Sequence, residues 1–258
     1  MRRILLPAAL ALAALLGAHP DAVPAAQSVR RAAPLDGTRQ LLLVTTAGWD
    51  SVPGTLRRYE RAYPGGAWRP VGAPVAVVVG RSGMGWGRGL HEVRPAAADP
   101  VKREGDGRAP AGAFRIGSAF GYASASAVRW IRLPYIRSSE SHRCVDDVAS
   151  AHYNRVVDSA TVQKDWTGRV ERMRLDDDQY KLGAIVEHNW GAQTRPGDGS
   201  CIFLHVWRGP RQGTAGCTAM AETAMAETLR WLDPALAPVL VQLPRAEYEA
   251  RRLAWGLP

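Results

Sequence analysis

Short apolar runs bounded by glycine and proline recur along this chain of 258 residues and limit what it can fold into. Runs of this length with such boundaries predict β-strands. The predicted strands cover residues 40–46, 55–61, 74–79, 113–117, 128–133, 181–188, 202–206 and 238–243, of which 55–61 is the weakest. A chain of this size buries a full core, so the pattern favours one β-rich domain over two.

The segment 200–232 carries the strongest indication of chemistry. Its apolar strand ends at His205, and a Gly-Pro loop then leads to Cys217. A helix is predicted over 220–232, because its apolar residues fall on one stripe and Asp233-Pro234 stops it. We therefore expect Cys217 just before a helix N-terminus, where the helix dipole favours thiolate over thiol.

A histidine close to such a cysteine can take the thiol proton, which is the chemistry of a cysteine nucleophile. Backbone N–H groups near Gly216 and Cys217 would hold the developing oxyanion. The alternative, from the residues alone, is a small buried cysteine and a structural histidine, because such pairs specify chemistry loosely.

This segment and several others resemble one subgroup of the L,D-transpeptidase catalytic domain family (YkuD-type, the ErfK/YbiS/YcfS/YnhG group). The similar blocks are PVAVVVGRSGMGWGRGL at 74–90, KREGDGRAPAGAFRIGSAFGY at 102–122, CVDD at 144–147 and GSCIFLHVW at 199–207. The resemblance spans residues 40–243. It implies a mainly β, single-domain, β-sandwich-like fold with mixed sheets and a few short helices, one directly after the catalytic cysteine.

The resemblance also implies roles for single residues. Cys217 takes the place of the nucleophile, His205 that of the base, and Gly216 allows close backbone approach beside the nucleophile. The commoner motif reads Ser-His-Gly-Cys with Arg or Asn two residues later, whereas this chain has Ala215 before Gly216 and then Ala219. The usual second histidine and its polar follower are therefore missing.

Residues around the motif are candidates for substrate contact. Arg208 and Arg211 lie in the loop between base and nucleophile and could replace the lost grip on a carboxylate, since a guanidinium matches that geometry. Simple solvent exposure is the alternative for both arginines. Thr214 and Trp207 complete the candidate set, with Trp207 expected to pack the cleft floor.

The chain has three cysteines, an odd number. The resembling subgroup has cysteines in the CVDD and GSCIFLH blocks, which implies a disulfide between Cys144 and Cys201 and a free Cys217. The alternative is three reduced, buried thiols.

The N-terminus combines a basic start with an apolar run too short to span a bilayer, which predicts a secretory signal peptide over 1–26. A flexible leader over 27–39, the catalytic domain over 40–245 and a C-terminal tail over 246–258 are expected to follow. The mature protein is then expected in the periplasm or cell-wall space, as a monomer without stable membrane insertion. An uncleaved N-terminal anchor is the alternative.

Charge and motif spacing argue against other classes. The formal net charge of +9 comes from 30 Arg and 3 Lys against 24 acidic residues. No nucleic-acid-binding motif accompanies this charge, so no nucleic acid partner is expected. No cofactor is expected, and no metal either, because the chain lacks HExxH and paired CxxC spacings.

The resemblance implies an exported L,D-transpeptidase that acts on peptidoglycan stem peptides through a thioester on the cysteine. An L,D-carboxypeptidase or hydrolase of the same substrate is one alternative. A catalytically silent cell-wall-binding protein is another, favoured by the missing motif histidine.

Overall fold

The computed structural model describes residues 33–168 and 170–258, which belong to one unit that runs from Ala32 to Pro258. The predicted signal peptide and residues 27–32 of the predicted leader lie outside the described residues. The strands are β1 (Gln40–Thr46), β2 (Pro53–Glu60), β3 (Arg69–Val78), β4 (Met84–Trp86), β5 (Ala109–Gly121), β6 (Tyr135–Arg137), β7 (His142–Cys144), β8 (Val156–Asp158), β9 (Glu171–Arg172), β10 (Leu182–Val186), β11 (Phe203–Val206), β12 (Thr218–Met220) and β13 (Val239–Pro244). The α-helices are α1 (Glu222–Trp231) and α2 (Arg245–Trp255), and short 3₁₀ turns cover Ala125–Val128, Gly191–Gln193 and Pro234–Leu236.

Eight strands close into a barrel in the order β10-β11-β12-β3-β2-β1-β13-β5, because β5 pairs back onto β10. Strand β5 can close the ring because it is 13 residues long. Its residues 112–115 pair with β13, and its residues 116–121 pair with β10. The mainly β class is confirmed, whereas the sandwich-like arrangement is wrong. Alternation along a strand predicts which side chains share a face, but it does not say which strands pair.

A second, three-stranded sheet lies in the polar stretch before β10, with the order β8-β7-β9. Strands β4 and β6 extend β5 outside the ring. The long polar stretch 146–177, predicted as an excursion that walls the cleft, contributes β8 and β9 to this small sheet.

Several predicted strands match and one does not. Strand β1 occupies the predicted residues, and β10 and β13 fall within or one residue beyond their predicted ranges. The strand predicted over 128–133 is wrong. This segment follows a 3₁₀ turn as a loop, and its apolar residues Val128, Ile131 and Leu133 are buried there. The predicted tail contains helix α2, whose Trp255 is buried.

Strand β11 separates two hydrophobic clusters. Leu204 and Val206 belong to the larger cluster, whereas Phe203 belongs to a smaller one with Tyr180 and Cys217. Successive side chains of a strand point to opposite faces, so His205 shares the face of Phe203. This face is covered by the small sheet, because Cys144 of β7 and nearby Met173 complete the smaller cluster. No helix in the described part of the chain is long and apolar enough to cross a membrane.

Candidate active site

One cavity of about 550 Å³ contains the predicted nucleophile and base. Cys217 and His205 both line it, although their side chains are only 6 % and 4 % exposed. Its other lining residues predicted from the sequence are Gly216, Thr214, Trp207 and Arg208. Arg211 is exposed and does not line the cavity.

The pairing of β11 with β12 brings the two residues together. The strands are parallel, with Leu204 opposite Thr218 and His205 opposite Ala219. Cys217 directly precedes β12, so its side chain lies on the same face as Phe203 and within one strand repeat of the imidazole. The expected meeting of the two segments therefore occurs, but through strand pairing.

The predicted helix N-terminus at Cys217 is wrong. Strand β12 follows Cys217, and helix α1 begins only at Glu222. Met220, the first residue of the predicted helix, pairs with β11 and β3, and a tertiary contact of this kind overrides local helical periodicity. The helix dipole is therefore not what would stabilise a thiolate here, because its effect falls off within the first turn.

The sulfur of Cys217 is free and closely surrounded by backbone. The N–H of Phe203 donates to it at 3.3 Å, and the thiol itself donates to the carbonyl of Cys201 at 3.5 Å. Burial raises the pKa of the Cys217 thiol to about 12, with the Glu171 carboxylate adding to this effect. The N–H of Phe203, the ammonium group of Lys102 and the hydroxyl of Tyr180 oppose it. At rest the sulfur is a thiol.

The imidazole of His205 is held in one tautomer. Its Nδ1 lies 2.8 Å from the carbonyl oxygen of Val206. A carbonyl oxygen only accepts, so Nδ1 carries the hydrogen and Nε2 is the basic nitrogen of the neutral ring. Because Val206 rather than an acid follows His205, the sequence favours a backbone carbonyl as the orienting group, and the carbonyl of Val206 takes this place. Burial lowers the pKa of His205 to about 4, so the ring is neutral at pH 7.

The turn before Cys217 is closed by the Thr214 side chain. Its hydroxyl donates to the carbonyl of Cys217 at 2.6 Å and accepts from the N–H of Gly216 at 3.1 Å. The Gly216 N–H is therefore already occupied, which leaves the N–H of Cys217 as the better candidate oxyanion donor. A Cβ on Gly216 would lie 3.1 Å from the Arg108 carbonyl oxygen, so the glycine serves close packing against β5 and its preceding loop.

The structure adds charged and polar residues that sequence reasoning missed. The cavity is also lined by Arg81, Lys102, Glu104, Asp146, Glu171 and Tyr180. Tyr180 donates to Glu171 at 2.9 Å, and its ring packs edge-on against His205 with the centroids 5.1 Å apart. These residues come from segments far apart in the chain, so no spacing rule joins them. The one available signal was the unusual density of carboxylates in 146–177.

The candidate substrate contacts differ in their surroundings. Arg208 is largely exposed and forms an ion pair with the Asp177 carboxylate at 3.6 Å. Trp207 is half-buried at the cavity wall, and its backbone N–H donates to the backbone carbonyl of Met220.

A disulfide joins Cys144 of β7 to Cys201, directly before β11, and confirms the predicted pairing. The bond ties the small sheet to the barrel beside the cavity, since Cys201 also lines it. Within residues 33–168 and 170–258, no group of three or more His, Cys, Asp or Glu residues is arranged to hold a metal ion.

No model of a known protein family matches this sequence, and no curated protein matches it either.

Proposed function

We propose that this protein is an exported cysteine acyltransferase of the L,D-transpeptidase type, with a YkuD-type fold, acting on peptidoglycan stem peptides. The observation that carries the proposal is the shared cavity of Cys217 and His205. It combines a free thiol with a neutral imidazole whose basic nitrogen is not used by the Val206 contact. The resemblance of the motif region supplies the substrate class.

The proposed reaction begins with attack of the Cys217 sulfur on the carbonyl carbon of the third residue of a stem tetrapeptide. Because thiol and imidazole are both neutral at rest, transfer of the proton to Nε2 of His205 accompanies the attack. The N–H of Cys217 holds the tetrahedral oxyanion. The carbon–nitrogen bond to the terminal D-alanine then breaks, and the imidazolium returns its proton to the leaving amine.

The product of this step is a thioester on Cys217. An amine from a neighbouring stem attacks the thioester, forms a cross-link and restores the thiol. Water in place of the amine gives carboxypeptidase action, which stays an alternative of the proposal. The cavity lining includes Arg81 and Arg208, whose guanidinium groups suit a peptide that ends in a carboxylate.

The proposed location is the periplasm or cell-wall space, and the proposed state is a monomer without nucleic acid partners. The Cys144–Cys201 disulfide supports an oxidising compartment, because such bonds persist mainly outside the cytosol.

The test of the nucleophile is an intact-mass measurement after incubation with disaccharide-tetrapeptide or with a carbapenem. The native protein should gain one acyl adduct, and Cys217→Ala should gain none. His205→Gln should slow acylation by about 10²–10⁴-fold, the usual contribution of a general base. His152→Gln is the matched control, because that ring lies outside the cavity. An adduct on Cys217→Ala would refute the assignment.

A catalytically silent wall-binding protein is the second candidate, favoured by the deep burial and raised pKa of the thiol. It predicts that the native protein binds peptidoglycan in a pull-down without any mass shift. Analysis of the disaccharide-tetrapeptide products distinguishes the remaining alternatives. A cross-linked dimer indicates transpeptidation, whereas tripeptide alone indicates carboxypeptidase action.

A further inference from the structure

Tyr180 is a buried side chain that packs beside the proposed catalytic pair. Its ring lies edge-on against the imidazole of His205. It packs in the same small hydrophobic cluster as Cys217 and lines the same cavity. Its hydroxyl donates to Glu171 at 2.9 Å. The proposed function gives this residue no task.

The aromatic neighbours fix the position of this hydroxyl. The Tyr180 ring packs edge-on against Phe120 and Phe203, with centroid distances of 5.7 Å and 5.6 Å. All three side chains are buried. The hydroxyl therefore cannot swing away from the cavity without breaking the smaller hydrophobic cluster.

A phenol carries a single hydrogen, which it can donate to one strong acceptor at a time. The Glu171 carboxylate accepts it at 2.9 Å. The Cys217 sulfur lies in the same cluster and cavity, and after burial it is the next cause that raises the pKa of Tyr180. A neutral thiol is a weak acceptor, so the hydrogen rests on Glu171. A thiolate is a strong acceptor, and a hydrogen bond to a charged group is about twice as strong as a neutral one.

We propose that the hydroxyl of Tyr180 stabilises the Cys217 thiolate and that Glu171 competes with the sulfur for the same hydrogen. The assignment rests on the proposed function, because it takes Cys217 as the nucleophile. Attack on the substrate pulls the proton from sulfur towards His205, and the Tyr180 hydrogen turns from Glu171 to the developing negative charge. Glu171 returns the hydroxyl to its resting position once the thiol is restored.

The charged and titratable groups that face the sulfur define what else acts on it. They are the Glu171 carboxylate, the Lys102 ammonium group and the Tyr180 hydroxyl, and the His205 ring lines the same cavity. Lys102 is engaged by the Asp106 carboxylate at 2.6 Å. Asp146 stands close enough to Glu171 to raise the pKa of that carboxyl, after the larger effect of burial.

The experiment measures the rate of Cys217 alkylation by iodoacetamide across a pH series, which gives the apparent pKa of the thiol without any peptidoglycan. Tyr180→Phe keeps the ring and removes the hydroxyl, so the thiol pKa should rise and the rate at mildly alkaline pH should fall about tenfold. Glu171→Gln removes both the competitor and a repelling charge, so the thiol pKa should fall and the rate should rise several-fold.

The matched control is Tyr153→Phe. Tyr153 is equally buried and its hydroxyl donates to a carboxylate, Glu104, but it does not line the cavity. The Cys217 thiol of the Tyr153→Phe variant should titrate as in the native protein. As a second control, the alkylation rate is measured in urea for every variant. Equal rates of the unfolded variants show that the differences in thiol pKa arise from the folded site.

Native alkylation kinetics in Tyr180→Phe would overturn the proposal, as would an equal loss in Tyr153→Phe. A native thiol pKa in Glu171→Gln would overturn the competition. Altered thiol titration in a protein that forms no acyl adduct would leave this inference standing and remove the proposed function instead.

Discussion

At the scale of single residues, the turn that presents Cys217 depends on the absence of a side chain at Gly216. An added Cβ would lie 3.1 Å from the Arg108 carbonyl and 3.4 Å from the side chain of Ile202. The first distance is to backbone, which yields less readily than a flexible side chain. The backbone of the turn must therefore shift to accommodate any larger residue.

Gly216→Ala should lower the free energy of unfolding by about 1–3 kcal/mol, as overpacking of a closed site does. Urea unfolding measures this change. Gly209→Ala is the control, because nothing lies within 4 Å of its added Cβ and its φ is unstrained. Equal stability of the two variants would contradict the packing role given to Gly216.

Buried histidines make the stability depend on pH. Burial lowers the pKa of His188 from 6.5 to about 3, and that of His205 to about 4. Each is neutral in the fold but takes up a proton when unfolded below pH 6.5. Their contribution is therefore complete above pH 6.5 and is lost as pH falls towards the pKa in the fold, about 4 for His205 and about 3 for His188.

His188→Gln should make the free energy of unfolding less dependent on pH between 6.5 and 4, by up to about 1.4 kcal/mol per pH unit. The comparison uses urea unfolding of the variant and the native protein at several pH values in that window. His152 is not among the buried histidines, so His152→Gln should keep the pH dependence of the free energy of unfolding seen in the native protein. A native slope in His188→Gln would show that this ring is not the titrating group.

The nucleophile and base could be predicted from sequence because they lie 12 positions apart within one segment. A backbone carbonyl as orienting group could also be predicted, since Val206 rather than an acid follows His205, but not which carbonyl it is. Tyr180 and Glu171 could not, because the fold brings them to the sulfur from outside that segment. A hydroxyl that serves a thiol through tertiary contact has no periodicity to detect.

At the scale of elements, the disulfide links the small sheet to the strand that carries His205. Cys144 and Cys201 are separated by 57 positions, and both belong to or pack on the smaller hydrophobic cluster. The bond holds β7 against the cavity wall. Its loss releases a long loop in the unfolded chain and loosens that wall in the folded one.

Replacement of Cys144 and Cys201 together by Ala should lower the free energy of unfolding by about 4 kcal/mol, the chain-entropy value for a loop of this length. Chemical denaturation under oxidising conditions measures the loss. Cys217→Ala, which removes a buried sulfur without opening a loop, should cost clearly less. An equal cost for both would mean that the cross-link adds nothing beyond side-chain packing.

The elements that sequence patterns missed have physical reasons. Strand β12 has three residues, too few for alternation to compete with the helical stripe that follows. Helix α2 is rich in charged residues, and only Tyr248 and Trp255 give it an apolar face, so it was predicted as a tail. In residues 128–133 the apolar side chains are buried although the segment is a loop. The same spacing of apolar residues is therefore compatible with a strand or with a loop.

At the scale of the whole molecule, the barrel depends on its last strand. Strand β13 lies between β1, with which it is parallel, and β5, with which it is antiparallel. Helix α2 covers this region, since Trp255 contacts His91 with the centroids 5.5 Å apart. Without β13 the ring has two unpaired edges.

A chain that ends at Pro238 should aggregate, because the open edges of β1 and β5 offer free backbone groups for pairing. A chain that ends at Pro244 keeps β13 and should retain the barrel with a lower Tm. Size-exclusion chromatography and circular dichroism distinguish the two. A soluble, folded protein that ends at Pro238 would contradict the closure assigned to β13.

The strand content could be predicted from sequence, whereas the closed ring could not. Sandwich and barrel share the same alternation within each strand and differ in the partner of one edge, here the β5–β10 pairing. Whether β5 reaches β10 depends on the length and bend of β5, which the alternation of apolar residues along a strand does not reveal.

The neighbouring positions of β1 and β13 also set the order of events during synthesis. The first strand of the ring is made almost two hundred positions before its partner, and a ribosome adds about 5–20 residues each second. Strand β1 therefore has no partner on one side until β13 has been made. During that interval its free backbone groups are open to pairing with another chain.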